Sequence, residues 1–338
     1  MSSVTLDAEA LETLISAAAS APSIHNSQPW RFRLDPDTTT LEVRAAPERG
    51  LRRTDPVGQA LYLSVGAALF NLRVAATHLG WTPVVRPLPR PADPRSLASV
   101  RLVPRPRRGH RHADPDDGLY EATRHGLYDA VWRRHSSRFP FEEIPLPDVV
   151  RDELTAAAEA EGAALFWPDR SETARLLRLT WEAEHRNAAD PGRVRDDRLW
   201  LRETTTDGLP AAALGVRDAT GTVPMRDFTH RHGQGRRTVL DFERAPTIAV
   251  LTTAHDRRAD WLRAGQALER LLLTATTHAV RTSLLHQAVE WPDLRWALAR
   301  TGRQSGHAHM LVRLGYGPEG APTPRRRAED VVSQTRGR

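Results

Sequence analysis

The sequence predicts an α+β fold of sheets and helices, present twice in one chain and closed on itself as an intramolecular pseudo-dimer. The tetrapeptide Gly58-Gln59-Ala60-Leu61 recurs as Gly265-Gln266-Ala267-Leu268. Each copy opens a long apolar-rich helical run that ends in a β-branched, strand-like segment. Similarity at that spacing reads as duplication and fusion of one domain. The length agrees, because 338 residues exceed one common domain. Such paired folds hold ligands at the seam.

In chain order, Leu6, Leu11, Leu14 and Ile15 recur at helical spacing, so residues 6–20 form an amphipathic helix stopped near Pro22. The loop SAPSIHNSQP follows. Residues 30–34 and 41–45 read as strands around a DPDTTT turn, and the first long helix covers about 57–79, ended by Gly80. Strands at 83–88 and 98–103 complete a first half, residues 1–103. The segment 104–118 is rich in Pro, Gly and charge and reads as a linker. The second half, 119–338, starts with a helix at about 119–132, followed by RRHSSRFPF and helices near 148–161, 172–187 and 194–203. Residues 204–246 show little periodicity and many glycines, as a lid or binding loop does. A buried strand at 247–253, the second long helix at about 258–280 and a last strand at 310–314 precede the tail.

Composition excludes several chemistries. The chain has no cysteine, which removes disulfides, thiolate catalysis and cysteine-ligated metals. All 48 basic residues are arginine, so Schiff-base catalysis on lysine is excluded. A pI near 10.6 invites a nucleic-acid reading, but the net charge is only +6 and the arginines are dispersed among 42 acids. A solvated mixed-charge surface is the expectation, with no nucleic acid and no membrane as partner. No apolar run is expected to reach the roughly 18 residues of a membrane span. The acidic, amphipathic N-terminus lacks the marks of a secretory leader, from which a cytoplasmic location is expected.

Three segments carry polar chemistry. Pro22, Ser23, Asn26, Ser27, Gln28, Pro29 and Trp30 sit in a loop fixed by two prolines between helix and strand. Read alone, it is a site or an ordinary turn with a Trp anchor. Arg134, His135, Ser136 and Arg138 follow a helix C-terminus, where guanidinium forks plus a hydroxyl suit a phosphate dianion, or simply a basic helix end in water. Arg325, Arg326 and Arg327 follow Pro322 and Pro324 and read as a solvated tail or a site.

Together and in this order, the three segments resemble the FMN-dependent nitroreductase family over most of the chain, and in particular its tandem, fused Acg-like subfamily. In that family a PS-x-x-NSQPW loop packs against the flavin, an R-[HR]-S-x-[KR] motif holds its phosphate, and a P-[KR]-x-R segment completes the phosphate site. The resemblance implies FMN, one per chain, contacted by Pro22, Ser23, Asn26, Gln28, Arg134, His135, Ser136, Arg138, Arg325 and Arg327, with Arg138 near the N1 and O2 edge of the flavin. It implies that Leu284, Leu285 and His286 line the ring near N5, although the usual proline is replaced by Leu284 and the usual acid or serine by His286. His286 either donates to flavin or substrate or faces solvent. The first half has the NSQPW loop but no arginine motif, and the second has the reverse. One site can be assembled, and not two, so the functional unit is one chain.

The resemblance implies hydride transfer from NAD(P)H through FMN to a small planar electrophile such as a nitroaromatic or quinone. The alternatives are a protein that sequesters FMN beneath a lid formed by DGLPAAALG and MRDF, and an FMN-dependent dehydrogenase of a biosynthetic intermediate. Two other patterns read as structural. Gly315, Gly317 and Gly320 spell a dinucleotide fingerprint, but nearby prolines forbid the required helix. The pairs His110/His112 and His230/His232 lack an evident third ligand, so no metal is expected.

Overall fold

Two sheets of the same plan pack on a pair of crossed helices in the computed structural model, which describes residues 6–105, 117–229, 238–299 and 306–334. The first plan runs α1 (Ala8–Ala19), β1 (Trp30–Asp35), β2 (Thr40–Ala45), α2 (Gln59–His78), β3 (Trp81–Pro87) and β4 (Ser96–Pro104). Asp7 caps α1 by accepting from the Ala10 amide at 2.8 Å. The strands pair antiparallel in the order β1-β2-β4-β3.

Next come α3 (Asp117–Ala122) and α4 (Tyr128–Arg133). The continuous helix expected at 119–132 is broken by a π-turn at Thr123–Leu127, where Gly126 takes φ +104°, outside helical space. The second plan then follows as α5 (Asp148–Glu159), β5 (Ala164–Phe166), α6 (Arg170–Ala189), α7 (Pro191–Trp200), the short pair β6 (Arg217–Asp218) and β7 (Val239–Leu240), β8 (Thr247–Thr253), α8 (Arg258–Thr277), β9 (Arg281–Leu285), α9 (Pro292–Ala299) and β10 (His307–Gly315). Its sheet order, β5-β8-β10-β9, is again antiparallel throughout. Helix, strand, strand, long helix, strand, strand therefore recurs with the same neighbours, and α6, α7 and the expected lid are inserted between β5 and β8.

The chain closes with α10 (Ala328–Val331) and β11 (Val332–Gln334), and β11 pairs parallel with β1, Val332 opposite Phe32. The last strand thus completes the sheet of the first half, which a linear division of the chain does not describe. To reach it, the tail must run across the seam.

The repeat is real, but its register differs from the tetrapeptides. Gly58 is the left-handed cap of α2, with φ +81°, whereas Gly265 lies inside α8. Gly265 is the eighth residue of its helix, and the eighth residue of α2 is Gly66. These two glycines are the crossing point. A Cβ on Gly66 would overlap the Leu262 carbonyl oxygen and lie 2.9 Å from the Gly265 Cα, and a Cβ on Gly265 would overlap the Leu63 carbonyl oxygen in return.

α2 is long and apolar enough to cross a membrane, contrary to the expectation that no run reaches that length, but 94% of that stretch is buried inside the protein. It is apolar on all sides because it is packed on all sides. Residues 106–116, most of the expected linker with His110 and His112, lie outside the described residues, as do 230–237 with His230 and His232.

Candidate functional site

One face of α2 forms the floor of a cavity at the seam. Ala60, Leu63, Ser64 and Ala67 follow the i, i+3, i+4, i+7 spacing and all line it. Around this floor converge the loop after α1, the segment after α4, the turn after β9, the inserted lid and the C-terminal tail.

The loop supplies Pro22, Ser23, His25 and Asn26 to the wall. His25, Asn26 and Gln28 all hold left-handed backbone, with φ of 50°, 53° and 50°. Such conformations cost on the order of 1–3 kcal/mol each in a non-glycine residue and persist where surroundings enforce them. Here the enforcement comes from distant parts of the chain. Asn26 Nδ2 donates to the Gly208 carbonyl at 2.8 Å and to the Pro324 carbonyl at 2.9 Å. Gln28 Nε2 donates to the Thr206 carbonyl at 2.8 Å, and its Oε1 accepts from the Arg326 amide at 2.9 Å. Gln28 therefore lies off the cavity and clamps lid and tail to the loop.

The segment after α4 and the tail make the cationic end. Arg134, His135, Ser136 and Arg138 line the cavity, and so does Arg325. Arg134 and Arg325 both donate to the Ser20 carbonyl, at 3.4 and 3.2 Å, so the guanidinium groups of the buried Arg134 and the half-buried Arg325 converge. The Nε of each has no hydrogen-bond partner. Burial, with Arg134 alongside, brings the Arg325 guanidinium down to about 9. Burial and the same arginines lower the His135 imidazole. Gly320 lets the tail approach this segment, since a Cβ there would overlap the Ser136 carbonyl oxygen. That close approach explains one glycine of the false dinucleotide fingerprint.

Arg327 does not reach the cavity. As the residue before α10 it turns outward, 79% exposed, with Glu329 at 3.4 Å. The side chain of Arg326 also points away, to the Asp330 carbonyl. In the turn after β9, Leu284 and His286 line the cavity, whereas Leu285 lies on the other face, opposite Leu311 in a separate core cluster. Arg138 donates to the Ala213 carbonyl of the lid and stacks over Phe228, 5.3 Å from the ring centroid.

The lid is more polar and more aromatic than its sequence suggests. The scarcity of Tyr and Phe in the lid predicts a cap of Leu209, Pro210 and Ala211 to Ala213, but of these only Leu209 lines the cavity, and Met225, Arg226 and Phe228 line it instead of the others. Arg226 pairs with Glu290 through Nη1 and lies 3.7 Å from Asp197. Glu290 also meets Arg193 at 2.8 Å and His286 Nδ1 at 3.2 Å, and the Arg226 guanidinium with the His286 hydrogen bond holds its carboxyl well below the usual range despite burial. His286 is thus oriented by a carboxylate four residues on, a spacing that was available in His286-Gln-Ala-Val-Glu290.

His25 packs edge-on against Phe228 at 5.1 Å, with Nε2 3.3 Å from Asp197 Oδ1. Burial outweighs the nearby carboxylates and depresses its pKa from 6.5 to about 3. The unfolded chain therefore binds this proton more readily, and folded stability is lost as pH falls from about 6.5 toward 3. His309, depressed to about 3 by burial, adds a second contribution of the same sign. Urea titrations between pH 7 and 4 should show this slope. In His25→Asn, which tolerates left-handed backbone, the slope should be visibly shallower, with the His309 part remaining.

The positions of α8 equivalent to the cavity floor line a second groove. There Ala259 and Leu262 keep the small apolar character, but Arg263 stands where α2 has Ser64 and Gln266 where it has Ala67. Arg73 crosses the groove to Glu161 and to Gln266 Oε1 at 3.0 Å. Among the described residues, no group of three or more His, Asp or Glu side chains is placed to hold a metal ion.

The chain is similar along nearly its whole length to Mycobacterium tuberculosis proteins. It is 33% identical to "Putative NAD(P)H nitroreductase Rv3131", covering 96% of this chain and 92% of the relative. It is 31% identical to "Putative NAD(P)H nitroreductase acg", covering 96% and 95%. No protein-family model matches. Among solved structures it resembles "a putative nitroreductase" from Anabaena variabilis (14% identity, 92% of this chain, 74% of the other, TM-score 0.43) and the FMN-dependent nitroreductase NfnB from Mycobacterium smegmatis in complex with NADPH (17% identity, 62% and 100%, TM-score 0.40). The chain belongs to the NAD(P)H nitroreductase family.

Proposed function

We propose that this chain is an NAD(P)H-dependent oxidoreductase that holds one FMN in the seam cavity and passes hydride to a small planar electrophile such as a nitroaromatic or quinone. The convergence of Arg134 and Arg325 carries the reading. Two converging guanidinium groups lining the cavity, one buried and one half-buried, beside Ser136 and His135, suit a phosphate dianion. The apolar floor of α2 suits the flat ring system, and FMN when bound supplies hydride acceptance and donation.

The chain's own residues would anchor, orient and exclude water. Arg134, Ser136 and Arg325 would hold the phosphate, with Arg327 removed from the set expected from the motif. Pro22, Ser23 and Asn26 would fix one edge of the ring, and Leu284 and His286 the other. His286 lines the cavity with Nδ1 toward Glu290, and would be the group that gives or takes a proton at a bound substrate. Leu209, Met225 and Phe228 restrict the remaining space to thin molecules.

One chain is the complete unit in this reading, because both halves of a pseudo-dimer are covalently joined and the equivalent groove is lined by Arg73, Arg263 and Gln266 without the loop and arginine segments that surround the seam cavity. Heat release of bound flavin should therefore give one FMN per chain. Two per chain, or FAD, would defeat the one-site reading. Anaerobic addition of NADH or NADPH should bleach the yellow protein, with oxidation restored by a nitroaromatic or quinone.

The lid supports a second reading, in which FMN is stored and turned over little. Arg226, buried and paired with Glu290 and Asp197, locks the lid across the cavity mouth. Yellow protein that neither nicotinamide bleaches would favour storage.

A further inference from the structure

A glutamate lies behind the two arginines, in the core. Glu269 is on α8, fully buried, at a position whose helical neighbours Leu268, Leu271 and Leu272 are core leucines. Neither of its carboxyl oxygens makes a hydrogen bond of good geometry, although the Asn71 side chain lies alongside. Arg134 Nε is 3.6 Å from Oε1, an ion-pair distance too long for a good hydrogen bond. A buried carboxylate satisfied this poorly is costly when ionised. Nothing in the packing of the leucines calls for it.

The groups facing Glu269 are few. Arg134 comes from the segment after α4 and Arg325 from the tail, while α2 presents the neutral amide of Asn71. The end of α1 presents only the Ser20 carbonyl, which both arginines share. On its own helix, Arg270 is engaged with Glu161 at 2.9 Å. Glu269 thus shares its two cations with the cavity, on the side away from it.

We propose that Glu269 is a proton-linked counter-ion to the phosphate pocket, ionised against Arg134 and Arg325 in the flavin-free chain and protonated when a phosphate dianion takes those cations. The inference rests on the FMN reading above and adds a carboxylate that does not touch the ligand. Without phosphate, two guanidinium groups face one carboxylate and solvent, a net charge of +1; with the dianion bound and Glu269 protonated, the set is neutral. The proton comes from bulk solvent and adds to a carboxylate oxygen, and no bond to the flavin forms. Burial, only partly opposed by Arg134, already brings the Glu269 carboxyl up to about 7, so an arriving dianion needs to push it only further in the same direction.

The sign follows. Below pH 7 the carboxyl is already protonated and binding takes up little. Above pH 7 the flavin-free chain must gain a proton on binding, so affinity falls with rising pH, by up to about tenfold per pH unit for one proton.

Titration calorimetry of FMN into flavin-free full-length chain at pH 8, in two buffers of different ionisation enthalpy, tests it. About one proton taken up per FMN is expected. Riboflavin, which lacks the phosphate, should bind without that uptake. Glu269→Gln should abolish most of the uptake, flatten the pH dependence between pH 7 and 8 and bind FMN more tightly than the parent at pH 8, below the range near 9 where Arg325 itself begins to titrate. FMN that binds without proton uptake overturns this inference and leaves the flavin reading standing, and so does equal uptake with riboflavin. FMN that binds at no pH overturns both. If Glu269→Gln fails to fold, the two-buffer comparison on the parent chain decides alone.

Discussion

Replacing Gly265 by alanine is expected to destabilise the protein by about 3 kcal/mol, the upper range for overpacking a core, because the added methyl meets backbone instead of a side chain that can turn aside. The Leu63 carbonyl oxygen and the Gly66 Cα leave it no room, so α2 and α8 must separate. Gly66→Ala should behave alike. Gly58→Ala is the useful contrast. Nothing lies within 4 Å of a Cβ there, so its cost comes only from the left-handed backbone at φ +81°, roughly 1–2 kcal/mol. Urea midpoints for the three variants would order them. Equal losses at Gly58 and Gly265 would mean that the helices do not cross at backbone contact.

Arg325→Met is expected to weaken FMN binding roughly ten- to a hundredfold, the worth of one charge-assisted hydrogen bond of about 1.5–3 kcal/mol. The flavin-free chain should respond in the opposite sense. A guanidinium held down at about 9 is one whose charged form the fold disfavours. The folded chain releases this proton more readily than the unfolded one, so the penalty is present at neutral pH and fades as pH rises from about 9 toward 12.5. A well-packed apolar replacement should leave neutral-pH stability unchanged or raised by about 1–3 kcal/mol. Flavin titration and urea unfolding of the same two proteins would check both signs. Arg327→Ala, by contrast, should alter FMN affinity by less than about twofold, since its exposed pair with Glu329 is worth little. An Arg327 effect as large as that of Arg325 would show that the tail moves when flavin binds.

What could be read from the residues alone was whatever is local. The long helices, most strands, the loop from Pro22 to Trp30 and the arginines from Arg134 to Arg138 are contiguous signals, and the structure brings these last two segments to one cavity. Register was harder. The two tetrapeptides share four letters, yet the physically equivalent glycines are Gly66 and Gly265, and only the helix crossing, where no Cβ fits, distinguishes them. β5 and β11 have three residues each, too short for a period, and β11 exists because β1 offers it an edge some 300 residues away. Arg325 and Arg327 look alike in a Pro-Arg-Arg-Arg string. Only the start of α10 turns one outward. Two charged residues were legible and passed over. Glu269 stands on the leucine face of a helix, and Glu290 stands one helical turn from His286.

The second groove bears on how the gene can change. In a homodimer every substitution is made twice, so a mutation that closes one cofactor site closes its twin and is lost by selection. Once two copies share one reading frame, each codon acts on one half only. Arg263 opposite Ser64, and Gln266 opposite Ala67, are differences that a symmetric dimer could not hold, since each would be present in both grooves. The inserted α6, α7 and lid are of the same kind, since two copies would have to fit around one seam. Fusion thus makes asymmetry heritable, and a groove whose twin alone lines the seam cavity is free to drift toward support.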